Sequence, residues 1–120
     1  MVYVTIDGDD VGQKITSSYL SNDVTKLISI NEYVNSATSK ISEILAYNGF
    51  AIIFCAADGV AGYSFDDTVN IELIYEEIQK NSDFGITFSM GVGDSLKDSY
   101  IALISAKSNG KNQLCNLMVM

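Results

Sequence analysis

The feature that most constrains this chain is a single tight hairpin inside a sequence that otherwise alternates helical and extended segments. Phe50–Ala56 (FAIIFCA) is a continuous apolar run, Ala57-Asp58-Gly59 is a turn signal, and Val60–Ser64 is the returning strand. An apolar run bounded by turn residues reads as a buried strand, and Asp-Gly between two such runs reads as a hairpin. Before it, VYVTI (Val2–Ile6) is β-branched and aromatic and reads as a strand that ends at Asp7-Gly8-Asp9-Asp10. A short helix is expected over Val11–Leu20. Ser29-Ile30-Asn31-Glu32 has the form of a capping box, and Ile30, Val34, Ala37, Ile41, Ile44 and Leu45 follow at helical spacing up to Asn48-Gly49. After the hairpin, a helix near Val69–Gln79 places Ile71, Ile74, Tyr75 and Ile78 on one face. In GITFSMGV, Ile86, Phe88, Met90 and Val92 alternate with smaller residues, which predicts a half-buried strand. Ser95 is the expected cap of a further helix, with Leu96, Tyr100, Leu103 and Ile104 facing inward and Gly110 ending it. Gln113–Met120 reads as a last strand.

The order is β-α-α-β-β-α-β-α-β. One hairpin between helical crossovers predicts an α+β fold of ferredoxin-like topology, an antiparallel sheet with flanking helices. In that topology the first strand is central and lies beside a strand of the hairpin. Asp7, at the end of the first strand, is therefore expected next to Asp58, in the hairpin turn. The length of 120 residues suits one domain over the whole chain, 1–120, and 48% apolar residues suffice for a core.

Absences narrow the chemistry. There is no His, which excludes Ser-His-Asp triads and His metal sites. There is no Arg, so a phosphate clamp must use Lys, main-chain N–H groups or a metal. Cys55 and Cys115 each lie in an apolar run and read as buried free thiols of a reducing compartment. A net charge of −8 argues against binding duplex nucleic acid. No apolar run approaches the ~20 residues of a membrane span, and the acidic start lacks a signal-peptide pattern, so a cytoplasmic location is expected.

Two segments carry candidate chemistry. Asp7 and Asp9 are two apart on an extended segment, so their side chains can share one side, and Gly8 between them permits close approach to the backbone. Magnesium takes one or two carboxylates plus phosphate oxygens, a role open to Asp7, the Gly8 carbonyl and Asp58. An acidic glycine turn with no ligand fits the same residues. Lys107 and Lys111, in Ala106-Lys107-Ser108-Asn109-Gly110-Lys111-Asn112, can reach the β- and γ-phosphates of a triphosphate, or can simply complement a helix C-terminus.

Ile86–Leu114 resembles the C-terminal half of GGDEF diguanylate cyclases, which read T-x-S-hydrophobic-G-hydrophobic, a helix, then A-K-x-x-G-[RK]-N. The counterparts are Thr87, Ser89, Met90, Gly91 and Val92, then Ala106, Lys107, Gly110, Lys111 and Asn112. YVTIDGDDVG is similar to the first metal-binding strand of that superfamily. The hairpin departs from it: Ala56-Ala57-Asp58-Gly59 stands for Gly-Gly-Asp/Glu-Glu, keeping the third carboxylate and losing the fourth. Ile15 stands where the cyclases use an Asn to read guanine. The small size, the DGDD start and the one-Asp hairpin more closely resemble the minimal CRISPR polymerase family (mCpol), single palm domains, from Val2 to about Leu117.

This resemblance implies a cyclic oligonucleotide synthase of bacterial antiphage defence, working by two-metal nucleotidyl transfer with Mg²⁺ or Mn²⁺. Asp7 and Asp58 would be catalytic, with metal on Asp7, the Gly8 carbonyl and Asp58. Asp9, Asp10, Val11, Gly12, Ala56, Ala57, Lys107 and Lys111 would line the nucleotide. Asp9 and Asp10 would be supporting ligands or a helix cap, and the small Ala56-Ala57 pair would admit substrate. ATP is the favoured substrate, because Ile15 cannot read guanine, and the expected product is a cyclic dinucleotide such as cyclic di-AMP. A homodimer with substrates at its interface and a separate effector that reads the product are the implied partners. Three other readings remain open: a degenerate cyclase that senses nucleotide, a palm-fold hydrolase like GTP cyclohydrolase III, and a purely structural ferredoxin-like module.

Overall fold

The computed structural model describes residues 1–82 and 85–118. The elements run β1 (Val2–Gly8), α1 (Val11–Leu20), α2 (Val24–Tyr47), β2 (Ala51–Ala56), β3 (Gly59–Ser64), α3 (Ile71–Gln79), β4 (Phe88–Gly93), α4 (Leu96–Ser108) and β5 (Leu114–Asn116). They form one five-stranded sheet in the order β2-β3-β1-β4-β5. The α+β class and the central first strand are as expected. Four strands are antiparallel, but β5 pairs parallel to β4. Val119 and Met120, the end of the expected last strand, lie outside the described residues.

The alternation in β1 sorts its side chains onto two faces. Val2, Val4 and Ile6 join Val60 of β3 and Phe88, Met90 and Val92 of β4 in the core, under Ile30, Val34, Ile41 and Leu45 of α2 and Ile71, Ile74 and Ile78 of α3. Tyr3, Thr5 and Asp7 turn to the opposite face, where α4 crosses β1 and β4 and Thr5 and Ser99 share a hydroxyl hydrogen bond of 2.8 Å. The α4 backbone comes so close that a Cβ on Gly91 would lie 2.2 Å from Leu103 N and from Ser99 O. Helix and strand can touch this closely only because that strand face carries glycine.

Five local expectations are corrected. Helix α2 begins at Val24, with the Asp23 carboxylate accepting from Lys26 N at 3.0 Å, so Ser29-x-x-Glu32 lies inside the helix and caps nothing. Strand β4 is buried along its whole length, because α4 covers its small-residue face. On α4, Leu103 faces inward beside Ser99, Ala102 and Ala106, whereas Leu96, Tyr100 and Ile104 are exposed. Close packing selects the small face of the helix over the apolar one. Strand β2 is largely exposed, since it is an edge strand that α4 does not reach. Cys55 is exposed with it, and Cys115 is half-buried.

Candidate active site at the β1 terminus

The antiparallel register pairs Asp7 with Gly59, which brings Asp58 beside the end of β1. Gly8 N donates to Asp58 O at 2.9 Å, fastening the hairpin turn to the strand. A Cβ on Gly8 would lie 2.8 Å from Val11 Cγ2 and 3.3 Å from Asp58 Cβ, so glycine is what lets the turn close onto β1. Burial raises the Asp7 carboxyl above its usual range, and the neighbouring Asp58 carboxylate adds to that, partly opposed by Lys107. A carboxylate crowded by a second one, as Asp7 is by Asp58, is a natural seat for a cation.

Asp7 and Asp9 do share one side, and both meet the Lys107 ammonium from the end of α4. Lys107 Nζ is 3.2 Å from Asp7 Oδ2 and 3.1 Å from Asp9 Oδ1, and it donates to the Gly8 carbonyl at 3.1 Å. Burial alone would lower the Lys107 pKa; the bonds and charge of Asp9 and Asp7 outweigh it and hold it above the usual lysine value.

Asp9 is only 3% exposed. Its carboxylate accepts from Thr87 Oγ1 at 2.6 Å, Ser89 Oγ at 2.7 Å, Lys107 Nζ at 3.1 Å and Asn112 N at 2.9 Å. Burial would raise its pKa, yet the hydroxyl, ammonium and main-chain donors pull it below the usual carboxylate range. Thr87, Ser89 and Asn112 thus form a cradle for Asp9. Their places in the T-x-S and A-K-x-x-G-K-N patterns were legible in the sequence, but not that both patterns converge on this carboxylate. Asp10 points outward to an ion pair with Lys111. Its side chain makes no cap bond, so it caps α1 through its backbone alone, in a left-handed conformation with φ 61°. That leaves the first-turn N–H groups at Val11 and Gly12 without a side-chain cap, beside the carboxylates. Such groups favour phosphate.

A cleft of 470 Å³ opens from Asp7, Asp58, Gly59 and Lys107 along Ala56 and Phe54 of β2 to Tyr100 and Ile104 of α4. Ala57 holds the hairpin turn at φ 50°, and Thr38 Oγ1 donates to its carbonyl at 3.5 Å. Ile15 is half-buried and packs against the core.

The family model for mCpol, the minimal CRISPR polymerase domain, matches residues 3–117. The chain belongs to the mCpol family. No curated protein matches it at a significant level. Among solved structures, it is similar to the GGDEF domain of DgcB from Caulobacter crescentus in complex with c-di-GMP, with a TM-score of 0.72 at 14% identity over 96% of this chain and 76% of that one. It is also similar to an EAL/GGDEF domain protein from M. capsulatus (TM-score 0.66, 20% identity, 96% of this chain and 83% of that one). A diguanylate cyclase/phosphodiesterase from Caldicellulosiruptor saccharolyticus gives a TM-score of 0.64 at 17% identity, over 98% of this chain and 75% of that one. These likenesses establish a GGDEF-like fold, on which the family membership places a polymerase-type domain.

Among the described residues, no group of three His, Cys, Asp or Glu side chains is arranged to hold a metal by itself. Asp7, Asp58 and the Gly8 carbonyl are the hard oxygens that lie at this end of β1. That suits magnesium, which keeps waters and takes further oxygens from a substrate phosphate. Among the described residues, no helix is long and apolar enough to cross a membrane.

Proposed function

We propose that residues 1–120 act as one palm domain that joins nucleoside triphosphates into a cyclic oligonucleotide. The favoured substrate is ATP, the product is a cyclic dinucleotide such as cyclic di-AMP, and the role is antiphage signalling to a separate effector. The observation that carries this reading is the β1–β3 register, which brings Asp7 and Asp58 together in an mCpol chain, with Lys107 on Asp7 and Lys111 on the adjoining Asp10.

In the reaction, a ribose hydroxyl loses its proton to water as its oxygen attacks the α-phosphorus, a new P–O bond forms, the bond to the β-phosphate breaks and pyrophosphate leaves with the displaced charge. Asp7, Asp58 and the Gly8 carbonyl would hold Mg²⁺ or Mn²⁺, which supplies a lowered pKa for that hydroxyl and neutralises charge on the phosphates. The uncapped start of α1 at Val11 and Gly12 receives phosphate oxygens, with Lys107 and Lys111 beside it. Asp9 positions Lys107, and Asp10 positions Lys111. Ala56 and Ala57 keep the hairpin side of the cleft narrow enough in side chain to admit substrate. With Ile15 turned to the core, no amide stands at that position to read guanine, which supports adenine.

Each chain offers one such cleft, and Phe54, Tyr100 and Ile104 are exposed at its rim. A two-fold homodimer would cover them and set two triphosphates face to face.

The test is to incubate the protein with each nucleoside triphosphate and Mg²⁺ or Mn²⁺, and to identify products by liquid chromatography with mass spectrometry. A cyclic dinucleotide mass, lost in Asp7→Ala and in Asp58→Ala, is expected. Formate release would instead assign a cyclohydrolase. A second reading, a nucleotide sensor without turnover, is favoured by Gly59: it faces Asp7, with its Cβ position 3.6 Å from Asp7 Oδ1, and brings no fourth carboxylate. Triphosphate binding without any product would establish that reading.

A further inference from the structure

The Lys107 ammonium lies on oxygens that the reaction above assigns to a cation. It is 3.2 Å from Asp7 Oδ2, 3.1 Å from the Gly8 carbonyl oxygen and 3.1 Å from Asp9 Oδ1. An ammonium has three donors and behaves as a compact point charge, and here there is one oxygen for each donor. Asp7 and Gly8 O are two of the three proposed metal ligands. Magnesium binds such oxygens at about 2.0–2.1 Å, so a divalent ion on Asp7 and Gly8 O would stand within a few ångströms of an ammonium held by the same atoms. Like charges at that separation in a half-buried site exclude one another. Lys107 is on the last turn of α4 and 26% exposed, so its stem can swing into the adjoining cleft.

We propose that Lys107 is a tethered cation, which holds Asp7 and the Gly8 carbonyl in the nucleotide-free protein and is exchanged for a divalent metal when a triphosphate binds. The triphosphate oxygens take the ammonium, and the freed carboxylate and carbonyl oxygens pass to the metal that the triphosphate carries. Asp9 stays in its cradle of Thr87, Ser89 and Asn112 throughout, so the site keeps its shape during the exchange. Metal and triphosphate then bind with positive coupling, and each raises the affinity of the other by the same factor. The inference rests on the proposed function, because it takes Asp7 and Gly8 as metal ligands.

The test is a titration with Mn²⁺, read from the electron paramagnetic resonance signal of the free ion, with and without a non-hydrolysable ATP analogue, the Mn²⁺ taken up by the analogue alone being measured without protein and subtracted. Wild type, Lys107→Met and Lys97→Met are compared; Lys97 is an exposed residue of the same helix, so its variant removes the same charge elsewhere. Lys107→Met is expected to bind Mn²⁺ alone at least about ten-fold more tightly than wild type or Lys97→Met, because a positive charge has left the site. The analogue should tighten Mn²⁺ binding strongly in wild type and less in Lys107→Met. In metal-free buffer Lys107→Met should melt at a lower temperature, and Mn²⁺ should raise its midpoint more than that of wild type. If Lys107→Met does not fold, Lys107→Gln gives the same readout with a neutral side chain that keeps donors. Equal Mn²⁺ affinity in wild type and the Lys107 variant, with analogue coupling unchanged, overturns the exchange and leaves the proposed function standing. No Mn²⁺ binding by any form, with or without the analogue, overturns both.

Discussion

Asp9→Ala is expected to cost the fold about 3–5 kcal/mol, although the residue belongs to a candidate active site. The carboxylate is 3% exposed and accepts from Thr87 Oγ1, Ser89 Oγ, Lys107 Nζ and Asn112 N. Hydrogen bonds to a charged group contribute about 1.5–3 kcal/mol each, but four that share one acceptor group do not add. Two of the donors keep other partners. Asn112 N also lies 3.1 Å from Ser89 Oγ, and Lys107 retains Asp7 and the Gly8 carbonyl. What remains is two hydroxyls stripped of their acceptor and a half-buried ammonium short of one carboxylate. That is comparable to breaking a buried ion pair from one side. Urea unfolding followed by far-UV circular dichroism measures the loss, since the chain has no Trp to report it. Asp7→Asn is the control: it removes one of two carboxylates that crowd each other, and should leave stability within about 0.5 kcal/mol or raise it. The acid side gives a second readout. Asp9 is held below its ordinary value of 3.8, so the folded chain binds fewer protons there than the unfolded chain. Its contribution is therefore complete above that value and is lost as pH falls through the lower folded value. The gap between wild type and Asp9→Ala should be full at neutral pH and shrink in acid. A loss under about 1 kcal/mol, or a gap that stays constant down to about pH 3, would refute the assignment of Asp9 as the anchor of the site.

Gly91→Ala should destabilise by about 1–3 kcal/mol or more, because its methyl would meet the α4 backbone and push the helix off the sheet. Lys107 rides on that helix, so triphosphate binding should weaken in the same variant; a protein with an unchanged unfolding midpoint would show that α4 does not approach β4 as described. Ala57→Gly should raise the thermal midpoint slightly: a left-handed residue other than glycine costs about 1–2 kcal/mol, and glycine's larger unfolded-state entropy returns about 0.5–1 of that. A lowered midpoint would contradict the positive φ at Ala57.

The local code was strong where two signals agreed. Val11–Leu20, the hairpin turn at Asp58 and the Ser95 cap stand where periodicity and turn chemistry put them, and the Ser95 hydroxyl accepts from Asp98 N at 3.1 Å. Where one signal stood alone it misled. Ser29 and Glu32 match a capping box, but Asp23 is an equally good cap and leads the helix by six residues. The apolar residues Leu96, Tyr100 and Ile104 look like an inner face at helical spacing, yet the helix turns its small side to the glycines of β4. A hydrophobic pattern names a face that can be buried; which face is buried depends on how closely the opposing backbone can approach.

The sequence by itself determined the element order and the central place of the first strand, because strand and helix periods are local properties. It also supplied the carboxylates and lysines available to the site. The expected topology already set Asp7 beside Asp58, and the β1–β3 register agrees. Only the tertiary structure decided how the other groups meet them: the close packing of α4 delivers Lys107 to both Asp7 and Asp9. The cradle of Thr87, Ser89 and Asn112 separates a buried anchoring carboxylate from a half-exposed one two residues away. Burial, donor count and the charge of neighbours from distant segments set the behaviour of a carboxylate, and none of these is a property of its sequence neighbourhood.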